Sequence, residues 1–309
     1  MTDFGADDSF AAASRKLKEH YGIEVPVSAI RGVTEQHGAA ALARQKQGSV
    51  LPDRAGVAVL IAEADGSMVP VVKTAEAGEG EEPMDGRKTR QLNWQEVRLC
   101  LVHEPGSVTP IFGATTGSVD DAGERLWECA IEAGAGNRTK FHGLGDGASW
   151  ITNQVDLRLG TQAKYLIDFS HLCEYLSPAA EVVAGPDKDT WMEEKKNWLK
   201  DNRWPEVLEK LRPFVESATV PDKDAPVRLC YRYIANRPHF LDYQGALAAG
   251  LPIGSGEIES AHRYVIQIRL KIAGAWWKIE NAAKMIALRV MRINGGWEDY
   301  WRNCDEKAA

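Results

Sequence analysis

Apolar positions recur along this chain with two different periods, and the change of period marks its elements. Residues 9–20 and 27–44 carry apolar side chains at helical spacing, interrupted by Tyr21-Gly22 and by Pro26, which disfavours helix at Val25. This predicts two short helices, with Ser28 a cap for the second. Residues 56–62 form a continuous apolar run of strand length, the pattern of a central buried strand. The run ends in Glu63-Ala64-Asp65-Gly66, where Asp65-Gly66 has the form of a hairpin turn, and the Val-rich residues 67–73 read as a second strand. Residues 78–86 are an acidic, Gly-rich loop. Alternation over residues 93–103, with Trp94, Val97, Leu99 and Leu101, predicts a third strand. A helix over 118–133, a strand over 139–144, a helix over 148–157 and a strand over 164–168 follow. Residues 170–237 read almost entirely as helix, with Trp191, Trp198 and Trp204 as core residues.

The stretch 251–271 is the element around which the rest is organised. Pro252, Gly254 and Gly256 resist helix, Ser255 can cap one, and Glu257, Glu259 and Ser260 fall in its first turns. Ile258, Ala261, Val265, Ile268 and Ile272 form a stripe to be buried. The helix breaks near Gly274 and resumes at about Ile279, with Ala283, Ile286 and Val290 facing the core. Three strands, helix, strand, helix, strand, a helical block and a final long helix is the order of a ribonuclease H-like α/β fold with an all-helical insertion before its last helix. The expected divisions are a helix-turn-helix-like region over 1–48, the first part of the catalytic core over 49–169, the insertion over 170–250, and C-terminal helices completing the core over 251–309.

Composition narrows the class. At 309 residues, 44% hydrophobic and 26% charged, the chain is an ordinary globular sequence of one to three domains. No apolar run is long enough to span a membrane, and the first residues do not form a signal peptide, so a cytoplasmic protein is expected. The five cysteines are widely spaced and form no CxxC pair, against both a zinc site and a disulfide framework. Net charge is −7, yet residues 260–293 carry seven cations (Arg263, Arg269, Lys271, Lys278, Lys284, Arg289 and Arg292) against one acid, Glu280. With the apolar stripe in the core, these cations should face solvent or a groove, as a surface for a polyanion.

Two acids stand out by position. Asp65 follows the first strand and Asp146 the fourth, and in this strand order those strands are neighbours, so the two carboxylates can converge. Glu259 can reach them from the covering helix. Crowded carboxylates repel one another unless a cation sits between them, and oxygen donors select a hard ion such as Mg²⁺ or Mn²⁺. Two such ions about 3.5–4 Å apart serve phosphoryl transfer. Taken singly, Asp65 reads as a turn residue and Asp146 as a helix cap ahead of Ala148; taken jointly, in this strand order, they do not.

In this set the sequence resembles the DDE transposases of bacterial insertion sequences, specifically the Kra-type family, which is related to Mutator-like transposases. The resemblance runs from about Asp3 to Trp301. It rests on Asp65-Gly66-Ser67-Met68-Val69-Pro70, Trp94-Gln95-Glu96-Val97, Gly145-Asp146-Gly147-Ala148-Ser149-Trp150-Ile151, the stretch from Tyr165 to Leu176, Gly254-Ser255-Gly256-Glu257-Ile258-Glu259-Ser260, and the stretch from Gly295 to Trp301. It implies a metal-dependent transposase in which Asp65, Asp146 and Glu259 are catalytic and hold Mg²⁺ or Mn²⁺, two ions in all. Glu257 competes with Glu259 for the third place; Glu259 is preferred because it directly precedes Ser260. Asp168 and His171 match the family's D-x-x-H signature. His171 either orients DNA or a metal-bound water, or is a hydrogen-bonded residue at a helix start. The implied partners are double-stranded DNA, as element ends and as target, and further copies of the chain assembled on it, with association to the nucleoid. Arg263, Arg269, Lys271, Lys278, Arg289 and Arg292 are the expected DNA-contacting cations. The net acidic charge and the short sequence ahead of the helical pair depart from the family and suit a shortened or domesticated copy. A ribonuclease H-like nuclease that cuts without joining, and a non-catalytic DNA-binding regulator, are the competing readings.

Overall fold

The computed structural model describes residues 1–45, 48–74 and 90–308, with the side chains of 305–308 left aside; the expected acidic loop at 78–86 lies outside the described residues. Three helices open the chain: α1 (Thr2–Asp7), α2 (Phe10–Tyr21) and α3 (Val27–Ala43). Ser9 caps α2 by accepting from the Ala12 amide, and Gly22, in the left-handed region at φ 68°, ends it. Ser28 does not cap α3; Pro26 holds that position, and its fixed φ suits the helix entry.

Next come β1 (Val59–Thr74), β2 (Arg90–His103), β3 (Ile111–Thr115), α4 (Val119–Glu132), β4 (Lys140–Gly145), α5 (Ser149–Leu159) and β5 (Ala163–Ile167). They build one five-stranded sheet in the order β3-β2-β1-β4-β5. β2 runs antiparallel to both β1 and β3, while β4 is parallel to β1 and to β5. The fold is therefore mixed α/β, and the first and fourth strands are neighbours as expected from the element order.

The first strands differ from the sequence reading in detail. Asp65-Gly66 makes no turn. The ladder runs straight through, pairing Asp65 with Leu99 and Gly66 with Arg98, so the two strands expected at 56–62 and 67–73 are one. Gly66 serves space rather than a bend: a Cβ there would lie 2.4 Å from the Glu96 carboxylate, which pairs with Arg98. The strand that completes the set is β3, five residues flanked by Pro110 and interrupted by Gly113, too short and broken for its period to show.

The helical block contains α6 (Phe169–Ala184), α7 (Lys188–Lys200), α8 (Trp204–Leu211), α9 (Pro226–Ala235) and α10 (Tyr243–Ala248). Trp191, Trp198 and Trp204 are half-buried against the core, as the pattern predicts. The chain returns as α11 (Gly256–Ala261), a π-helical segment His262–Gln267 and α12 (Ile268–Leu270), then α13 (Ile279–Ile293) and α14 (Trp297–Ala308).

Three layers result. On one sheet face, Ala62, Ala64, Cys100 and Val102 pack with α4, α5 and the helical block. On the other, Val69, Val71, Val97, Leu99 and Leu101 pack with α11–α13. Ala6 of α1 and Ala41 of α3 belong to this second core, and Gly38 of α3 lies so close to α13 that a Cβ would be 2.9 Å from the Lys284 carbonyl. The helical pair thus packs on α13, and His37 and Arg44 reach Tyr300 of α14.

Candidate functional site

Strand parity sets the site. Asp65 pairs with Leu99 and Glu63 with Leu101, and both leucines belong to the core beneath α11–α13. Glu63 and Asp65 therefore face that helical layer, while Ala62 and Ala64 face the opposite one. Where the described register ends, Glu63 is level with Leu144 of β4. A Cβ on Gly145 would be 3.2 Å from the Ala64 carbonyl, and Asp65 and Asp146 are the next residues along the two strands.

The loop carrying Asp146 is tightly held. Its Oδ1 accepts from the Ala148 amide at 2.7 Å, turning the chain into α5. Its carbonyl accepts from the Tyr233 hydroxyl at 2.7 Å, and the Gly147 amide donates to the Tyr165 hydroxyl at 3.1 Å. Burial raises both phenols, keeping their protons in place. Gly147 has φ 77° with Arg237 and Ile167 packed about it, a place only glycine fills without strain.

Glu63 is the acid the sequence reading passed over as part of a turn. It is 2% exposed, and its Oε2 accepts from the Ile258 amide of α11 at 2.9 Å. Burial pushes its carboxyl up to about 8; the Ile258 amide opposes this, and Glu257, Asp168 and Glu259 add their repulsion. Four carboxyls, on β1, after β5 and on α11, are thus within electrostatic reach of one another. The signal was available, since a charge inside an apolar strand run shares parity with Asp65.

Two buried histidines complete the site, and neither stood out in the sequence. His103, at the end of β2, has Nε2 3.1 Å from Oε2 of Glu257 and Nδ1 2.8 Å from the Glu104 carbonyl. His262, at the start of the π-helical segment, has Nε2 3.2 Å from Oδ2 of Asp65. Both Nε2 atoms are within ion-pair distance but off the line of a hydrogen bond, so they count as unpartnered buried nitrogens. Glu257 thus lies within ion-pair distance of His103, and both Glu257 and Glu259 are exposed.

The D-x-x-H pair is divided. Asp168 is buried and its oxygens are spent: Oδ1 accepts from the His171 amide at 2.8 Å, and Oδ2 from the Ser255 amide and hydroxyl, each at 2.5 Å. It caps α6 and fastens the entry to α11, so Ser255 donates to Asp168 instead of capping its own helix. His171 sits in the first turn of α6, its Nδ1 3.2 Å from Glu174 and its ring edge-on to Tyr175 and Tyr233.

The expected cationic face splits. Arg263, Lys271 and Lys278 are exposed. Arg269 and Arg289 are in the core, 2% and 6% exposed, which corrects their expected surface position. Arg269 lies between the rings of Phe10 and Trp277, 4.7 Å from each, and donates to the Gly5 carbonyl. Arg289 donates to the carbonyls of Tyr264, Val265 and Ala6 and pairs with Asp7. Arg292 pairs with Asp3 and Asp7. The π-helical segment explains the miss: it shifts the helix face, burying Arg269 and leaving Ile268 58% exposed.

No protein-family model and no curated protein matches the chain. Among the described residues no three His, Cys, Asp or Glu side chains are gathered as a ready-made metal site. The donor chemistry nevertheless fits a hard divalent ion. Asp65 and Asp146 are half-buried and Glu259 is exposed, and carboxylate oxygens are the donors such an ion takes.

Proposed function

We propose that this chain is a metal-dependent polynucleotidyl transferase of the DDE transposase kind, built on a ribonuclease H-like core. The observation that carries the reading is the strand register: β4 runs parallel to β1 with Leu144 level with Glu63, so Asp65 and Asp146, each two residues further on, would lie side by side on the face that α11 crosses with Glu259. Asp65, Asp146 and Glu259 would hold Mg²⁺ or Mn²⁺, which supplies charge stabilisation and activation of the attacking oxygen in displacement at phosphorus. The protein's own contribution is positional. β1 and β4 fix two carboxylates on a rigid sheet, Tyr165 and Tyr233 hold the Asp146 loop, and Asp168 sets the entry of α11. Arg263, Lys271 and Lys278, exposed on and beyond the same helical run, would contact phosphates of double-stranded DNA. Cutting of element ends and joining of their 3′-hydroxyls to target DNA can share this one site. Assembly of further copies on DNA belongs to the same reading.

The test is incubation with Mg²⁺ or Mn²⁺ and DNA carrying the two sequences that flank the coding region, with cleaved and joined products resolved together. Asp65→Ala, Asp146→Ala and Glu259→Ala should each lower both products by at least about a thousandfold while DNA binding persists. Cutting without joining would favour a nuclease, and end binding without metal-dependent cutting a regulator. Full activity in Glu259→Ala with loss in Glu257→Ala would move the third acid to Glu257.

A further inference from the structure

His262 is the buried group that nothing in this reading yet uses. It is 3% exposed, and neither ring nitrogen has a hydrogen-bond partner. The other buried histidines each spend a nitrogen: His103 Nδ1 lies 2.8 Å from the Glu104 carbonyl, and His142 Nε2 lies 2.8 Å from the Pro252 carbonyl. Leaving a buried polar atom unpaired costs about 1–3 kcal/mol, so an apolar side chain would serve packing better at this position. What stands before the ring is Asp65, with Oδ2 3.2 Å from Nε2. The ring also opens the π-helical segment, a distortion that sets its direction relative to Glu259 one turn earlier.

We propose that His262 is the positioning residue for Asp65. Its Nε2–H donates to Oδ2, the alignment being completed by rotation of the carboxylate about its soft χ2, and the other oxygen is held toward the open side of the site. A histidine or other donor behind a metal-binding carboxylate fixes its orientation, and losing such a partner costs about 10–100-fold in metal affinity or activity. The inference rests on the reading of Asp65 as a metal-binding residue.

The experiment compares Mn²⁺ binding by calorimetry, without DNA, in the wild-type protein, His262→Phe and His262→Gln. Phenylalanine fills the volume without a donor; glutamine keeps an N–H. The expected result is about a 10–100-fold weaker Kd for His262→Phe, recovered for the most part by His262→Gln, with metal-free DNA affinity unchanged. A wild-type Kd in His262→Phe would overturn the assignment while leaving the metal site intact. Absence of Mn²⁺ binding in the wild-type protein would overturn the metal reading itself, and this assignment with it. Should His262→Phe fail to fold, imidazole nitrogen NMR of the metal-free wild-type protein decides: the Nε2 resonance must shift in Asp65→Ala, and an unmoved resonance rejects the contact.

Discussion

At the scale of single residues, Glu63 joins the sheet to the helix above it. Its carboxyl, pushed up to about 8 mainly by burial, stays protonated in the folded chain where the unfolded chain, at 4.5, has lost its proton. The folded state therefore binds more protons between these values, and stability from this group is full below about 4.5 and falls as pH rises through about 8. In chelator-containing buffer the melting temperature of wild-type protein should decline from pH 5 to 8. Glu63→Gln should flatten that decline and raise stability at pH 8; an unchanged pH dependence would mean that Glu63 is ionised in the fold. Of the residues around it, Asp65, Asp146, Glu257, Glu259 and Asp168 were legible in the sequence because each stands in a recognisable motif or follows a strand. Glu63, His103 and His262 were not. Their importance comes from strand parity and from a helix distortion, which only the folded backbone expresses.

Elements were more legible than their joints. The period of residues 279–293 gave α13 directly, and Ser118 with Asp121 forms the capping box that opens α4. β1 was divided because Asp-Gly is a strong turn signal, here overridden by pairing with β2 along its length. The packing of α3 on α13 was equally hidden, since glycines in a helix look like weaknesses. Gly32 and Gly38 separate the two cases. A Cβ at Gly32 meets open space, so Gly32→Ala should stabilise by about 0.4–1 kcal/mol through helix propensity and unfolded-state entropy. At Gly38 it would press on main chain, which cannot move aside without parting the helices, so Gly38→Ala should destabilise by about 1–3 kcal/mol. Urea unfolding of the two variants checks the opposite signs; stabilisation in both would mean that α3 is only loosely seated.

For the whole molecule, the buried arginines change what the N-terminal region is. Arg269 and Arg289 reach from beneath the π-helical segment to the Gly5 and Ala6 carbonyls, and Arg292 to Asp3 and Asp7, so the first helix is fastened to the helices that follow Glu259. The helices α1 and α3 are accordingly a buttress of the candidate site. The same division predicts two different mutant behaviours. Arg263→Ala, Lys271→Ala and Lys278→Ala together should flatten the slope of log K against log salt by about 2–3 units with little change in melting temperature. Arg289→Ala should instead cost on the order of 3 kcal/mol of stability, because three carbonyls lose their donor and Asp7 keeps only Arg292, and should leave the salt slope of the folded fraction unchanged. Filter-binding titrations over a salt series, beside chemical denaturation, separate the two.

The unbroken course of β1 makes the site a matter of odd and even. Residues 63 and 65 look one way, 62 and 64 the other, and the assignment is locked by a ladder with β2 that extends to Thr74 and by β4 on the opposite side. Were Asp65 at a turn, gain or loss of one residue upstream would be absorbed locally. In a continuous strand such a change inverts the whole assignment: the carboxylates enter the layer of α4 and α5, and the alanines take their place beneath α11. Length variation within this strand is therefore admissible only in steps of two, and its neighbours on both sides would have to slip with it.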